Sequence, residues 1–148
     1  MIILSFFEGI IAALGALALE LSTMLIFNLP PAENALFTLF IFVAIEEILK
    51  YAVIYRHHLA RINKKIILGA LFTGLGFSLT ELFLKQLDYQ KESAFPVLGI
   101  IFIHILTTSL VGISCMRKYY ANKLFVLLLI GVNILLHFGY NFCILYYF

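Results

Sequence analysis

Glu46 and Glu47 stand side by side in an apolar stretch with Lys50 one turn later, while Glu81, His104 and His137 stand singly in three further apolar stretches and Asn141 follows His137 by four residues. Hydrolysis of a peptide bond needs an activated water, a proton for the leaving amine and a donor for the oxyanion, and these residue types can supply all three. Glu46 or Glu47 could be the base, because two adjacent carboxylates do not both ionise cheaply and the pair can hold and release a proton. Lys50 can keep one of them charged. His104 and His137 could relay protons or polarise the water, and the Asn141 amide suits the oxyanion. A metal version uses the same residues: zinc takes three protein ligands and leaves a fourth position for water, so His104, His137 and Glu81 or Glu46 could bind it while Glu47 acts as base. The ligands would come singly from separate stretches, so no local spacing chooses between the two chemistries.

The elements that must position these groups follow from composition. Of 148 residues, 64% are hydrophobic and only 12% charged, with a mean hydropathy of +1.07, whereas a soluble domain is about half apolar and a quarter charged. A bilayer-spanning helix needs roughly 20 apolar residues. Breakers divide the chain into five such stretches, near 2–27, 35–55, 66–84, 94–116 and 124–147, which predicts an all-α, polytopic transmembrane helix bundle of about five spans in one domain covering 1–148. Pro30-Pro31 with Glu33-Asn34 is expected to end the first helix and start the second. The first stretch is read as a retained helix, since no Lys or Arg precedes Ala16-Leu17-Ala18. Cys115 and Cys143 fall near opposite faces of the membrane, which argues against a disulfide. A formal net charge of +2 is too mild to suggest a nucleic-acid partner.

Lysine and arginine set the orientation. Arg56, Arg61, Lys64 and Lys65 crowd one connection and Arg117, Lys118 and Lys123 another, and the positive-inside rule puts both in the cytoplasm, with the N-terminus inside. Counting from the outer end of each span at about 1.5 Å per residue, Glu46 and Glu47 lie roughly 17 Å deep, His104 and His137 about 15 Å, Asn141 about 9 Å and Glu81 only about 5 Å. An ionisable group in hydrocarbon costs at least about 2.5–3.5 kcal/mol, so several of them in one layer ask for an explanation. Glu81 is the misfit, unless the third helix continues past Lys85. Asn133, His137 and Asn141 share one helix face, as do Gly74, Ser78 and Glu81, and the small residues Gly69, Ala70, Gly74 and Gly76 predict close helix approach.

The successive motifs Glu46-Glu47-Ile48-Leu49-Lys50, Gly74-Leu75-Gly76-Phe77-Ser78-Leu79-Thr80-Glu81, His104-Ile105-Leu106-Thr107-Thr108 with Gly112, and His137-Phe138-Gly139-Tyr140-Asn141 resemble those of the PrsW family of intramembrane proteases. The resemblance covers four of the five spans in order. It implies an integral membrane peptidase of a prokaryotic plasma membrane that cuts single-span or membrane-anchored proteins, with Glu46, Glu47, Glu81, His104, His137 and Asn141 as the catalytic set. Two departures stand out: Leu82 occupies the place where the family commonly has Asn, and the chain is shorter than typical members. The related CAAX prenyl proteases fit less well, because Tyr51 stands where they have Arg and Ile100 where they have Phe.

Competing readings use the same residues. Glu46, Glu47 and Lys50 could form a paired cluster that only fixes packing, a lone intramembrane His or Asn can serve as interhelical glue, and the whole chain could be a silent scaffold or an immunity-type protein on a protease fold. A proton or small-molecule carrier is disfavoured by the lack of inverted repeats. Glu20 in the first span is read as a packing group, Glu8 lies nearer the cytoplasmic end of that span, and His57-His58 are read as solvated or headgroup-facing.

Overall fold

The computed structural model describes residues 2–31, 35–59, 65–88, 94–116 and 122–147. Their elements are five helices: α1 (Ile2–Phe27), α2 (Leu36–Leu59), α3 (Ile66–Asp88), α4 (Ala94–Ser114) and α5 (Lys123–Tyr147). The all-α bundle expected from composition is what forms. Arg61, Lys64, Arg117, Lys118 and the Glu33-Asn34 start of the second helix lie outside the described residues, as do the side chains of His57 and His58.

Four helices, α1, α3, α4 and α5, are long and apolar enough to cross a bilayer. The second has 24 residues, about 36 Å at 1.5 Å per residue, but Glu46, Glu47 and Lys50 interrupt its apolar character midway. Its position resolves the conflict. α2 packs on each of the other four helices, so Glu47 and Lys50 are enclosed by protein. The bundle is accordingly apolar outside and polar inside: Leu25, Ile26, Phe83, Phe102, Leu124 and Leu135 are exposed, whereas His104, His137, Asn133, Thr107 and Thr108 are buried. Lipid tails solvate leucine as well as a protein core does, while polar groups must find partners within the bundle, and this is the distribution a bilayer selects.

Glycines set how closely the helices lie. A Cβ on Gly9 of α1 would collide with the Thr73 carbonyl oxygen of α3, and one on Gly74 of α3 would come within 2.8 Å of the His104 carbonyl oxygen of α4. The small-residue face expected on the third span is thus an interface on two sides, and Gly74 seats α4 so that His104 lies beside the later turns of α3. α1 ends before the prolines expected to stop it. Asn28 adopts a left-handed φ of 48°, and the Leu29 N–H donates to the Met24 carbonyl at 3.2 Å, a Schellman closure that asparagine tolerates and that leaves Pro30 to follow. At the start of α5 the Asn122 side chain caps the helix by accepting from the Phe125 N–H at 3.1 Å.

Near one end of the bundle an apolar layer packs between α2, α3 and α4. Ile54 of α2, Ile66 and Ala70 of α3, Val111 of α4 and Cys115 just after α4 pack together with Tyr51, Tyr55 and Met116 around them. This is the end where α2 finishes and α3 begins. Arg56 lies 3.6 Å from Glu8, so the N-terminal end of α1 belongs to this same end, as the alternating direction of five successive helices requires.

Candidate functional site

The site grows from α2. Residues 46, 47 and 50 of a helix project towards neighbouring faces, and because α2 is central they reach α3, α4 and α5. The Lys50 ammonium donates to Glu47 Oε1 at 2.7 Å, one turn back on the same helix. It lies equally close, 2.7 Å, to His104 Nδ1 of α4, and 4.5 Å above the Phe77 ring of α3. An ammonium can only donate, so His104 Nδ1 presents its lone pair and the ring proton sits on Nε2. There it donates to Glu81 Oε2 in a short contact.

A second arm leaves Glu47. The His137 Nδ1–H of α5 donates to the same Glu47 Oε1 at 2.8 Å, which leaves the lone pair on His137 Nε2. That atom is buried and has no hydrogen-bond partner, and neither has Glu46 Oε2. The two face each other at 3.7 Å. The histidine rings meet edge to face, with centroids 4.8 Å apart and planes at 81°. The contacts therefore run as one chain, Glu81, His104, Lys50, Glu47, His137, Glu46, drawn from four helices.

Burying charges is tolerable only when each has partners. Lys50 and Glu47, exposed by 0% and 1%, have them through Glu47 Oε1, while Glu47 Oε2 is buried without a hydrogen-bond partner. The carboxylates at the two ends are less enclosed, Glu46 by 13% and Glu81 by 17%. Glu81 and Glu20 both lie within electrostatic reach of Glu46. Carboxylates outnumber the one ammonium, so the cluster has places where protons can be taken up and released. Around it, Asn133 donates to the Thr107 carbonyl at 3.1 Å, and Tyr140 to the Pro96 carbonyl at 2.8 Å, which fix α5 against α4.

Five of the six residues expected to act together do meet: Glu46, Glu47, Glu81, His104 and His137. The depth misfit of Glu81 narrows because α3 runs on to Asp88, which adds about 6 Å of helix beyond Leu84, and the Glu81 side chain meets His104. Asn141 is half-buried one turn beyond His137 on the same face, and no hydrogen bond ties it to the chain of contacts. Two contacts escape the sequence reading. Lys50 holds Glu47 as expected, but its bond to His104 spans 54 residues. Phe77 stands inside the Gly74–Glu81 motif as one apolar residue among many, and nothing in that motif marks its ring as the cover of the Lys50 ammonium.

A metal could be offered one ligand atom each by Glu46, His104 and His137, all within 4.8 Å of one another. Of the two carboxylates the sequence leaves open, Glu81 and Glu46, it is Glu46 that joins both histidines in that trio. The gap between Glu46 Oε2 and His137 Nε2 suits two ligands of one ion at about 2.0–2.2 Å each. Comparison of the chain with protein families, with curated proteins and with solved structures gives no match.

Proposed function

We propose that this membrane protein is an intramembrane peptidase in which Glu46 and His137 activate a water for attack on a peptide carbonyl. The observation that carries the reading is the pair of buried, facing atoms Glu46 Oε2 and His137 Nε2, 3.7 Å apart and without hydrogen-bond partners, at one end of a chain of paired acids and bases. Glu46 takes the water proton as the oxygen attacks, and returns it to the amine as the C–N bond breaks. Glu47, with both a lysine and a histidine on one oxygen, is the positioning residue: it fixes the His137 tautomer so that Nε2 faces the reacting water. Of the two adjacent glutamates, the less enclosed one does the chemistry. Asn141, one turn from His137, is the group that would meet the oxyanion.

The order of the PrsW-like motifs along the chain supports the same activity and a single-span or membrane-anchored protein as substrate. Access follows from the apolar layer. Water reaching Glu46 from the Arg56 end would have to pass Ile54, Ile66, Ala70, Val111 and Cys115, whereas the partly exposed carboxylates lie beyond that layer. With the basic connections in the cytoplasm, the substrate is cut in its outer juxtamembrane stretch.

The test is reconstitution in liposomes with single-span reporter proteins, followed by mass-spectrometric mapping of products. The wild-type protein should release an extracytoplasmic fragment and Glu46→Gln should not. A cut on the cytoplasmic side would refute the access route, and equal turnover by Glu46→Gln would refute the base.

A further inference from the structure

The three residues able to share a metal ion do not have three lone pairs to give it. Glu46 Oε2 and His137 Nε2 are free of hydrogen bonds and point at each other. His104 is different. A neutral imidazole has one nitrogen with a lone pair and one with a proton, and at His104 the lone pair on Nδ1 faces the Lys50 ammonium at 2.7 Å, while Nε2 donates to Glu81. A metal on either nitrogen of His104 would require that ring to turn its proton towards an ammonium, or to release Lys50 altogether. The ammonium is also held where it is: Glu47 accepts from it at 2.7 Å, the face of Phe77 covers it, and it is fully buried. A divalent cation placed between Glu46 and His137 would sit next to this fixed positive charge and be repelled by it.

We propose that Lys50 is the resident cation of the site: by occupying the His104 lone pair it fixes His104 as the Nε2–H tautomer facing Glu81, and it keeps divalent metal off Glu46, His104 and His137, a trio that becomes a metal site once the ammonium is removed. This makes Lys50 a positioning residue whose charge does structurally what an ion would do, holding one carboxylate and one imidazole in register across α2 and α4. The inference concerns what occupies the site, so it stands or falls separately from the peptidase reading.

Purified full-length protein in detergent is incubated with Zn²⁺, desalted, and analysed for metal, with Co²⁺ in parallel because its visible absorption reports the ligand set. Wild-type protein should retain far less than one ion per chain, whereas Lys50→Met should retain about one, with the tetrahedral absorption of a nitrogen and oxygen site that disappears when His137→Ala is added. Since Lys50→Met leaves Glu47 buried without its cation, Lys50→Met/Glu47→Gln is made alongside it, keeping the charge balanced. A wild-type protein that holds about one ion per chain, released by His137→Ala, would overturn the proposal, as would a folded charge-balanced variant that binds none. A second readout needs no variant at the site. With His57 and His58 replaced by glutamine, only His104 and His137 remain of the four histidines, and ¹⁵N spectra of labelled protein should show one ring protonated on Nε2 and one on Nδ1. Two rings of the same tautomer would refute the role given to Lys50.

Discussion

The bundle contains two buried layers about two turns apart on α2, and they are built on opposite principles. The layer of Glu46, Glu47, Lys50, Glu81, His104 and His137 is held by a few directional contacts, each with a named donor and acceptor. The layer of Ile54, Ile66, Ala70, Val111 and Cys115 is built mainly of aliphatic side chains that pack by shape. In water the second would supply most of the stability. In a bilayer the hydrophobic effect no longer favours burying leucine against leucine, so helix association depends on packing and on polar groups that have nowhere else to go. The polar layer therefore ties α2, α3, α4 and α5 together, and the apolar layer fills the space between α2, α3 and α4 near the Arg56 end.

Five substitutions test this division, in falling order of effect. Glu46→Gln should lower peptide cleavage by about 10²–10⁴-fold, the usual contribution of a general base, while Ile54→Ala should leave turnover within a few-fold; comparable losses from both would erase the distinction between a chemical and a sealing layer. Lys50→Met should destabilise the bundle by about 3–5 kcal/mol by stranding the Glu47 carboxylate, and adding Glu47→Gln should recover much of that loss, as read by unfolding in mixed detergent across the full double-mutant cycle. Additive losses would mean that the pair is not coupled. Ile54→Ala is expected to cost about 1–2 kcal/mol from lost dispersion contacts and to admit water, so that Cys115, after removal of Cys143, becomes reactive to a thiol reagent supplied from the Arg56 end. Asn133→Ala, which removes one interhelical hydrogen bond outside the reacting pair, should cost only about 0.6 kcal/mol and leave cleavage unchanged. A large loss of activity there would extend the site along α5.

Much of the bundle was legible in the sequence because hydropathy, breakers and small residues report local requirements. The first helix, 2–27, was read to its observed limits, although its stop was attributed to Pro30-Pro31 when Asn28 performs it. The third is expected to end at Leu84 because Lys85 and Asp88 look like loop residues; the helix runs on to Asp88, and Glu81 reaches His104 from within it. The charged middle of α2 is the instructive element. Its residue types announced a site, but nothing local revealed that α2 packs against all four of its neighbours.

Residue type and spacing alone determined that this chain is a membrane bundle and that Glu46, Glu47, Glu81, His104 and His137 needed an explanation, since the cost of ionisable groups in hydrocarbon depends on little more than their being there. Only the tertiary structure decided how they divide the work. Which nitrogen of each histidine carries the proton depends on the partner that faces it, and those partners, Lys50 for His104 and Glu47 for His137, are 54 and 90 residues away in the chain. The free pair Glu46 and His137 exists because Glu47 and Lys50 have already taken each other, an outcome set by which face of α2 each neighbouring helix covers and invisible in the order of the letters.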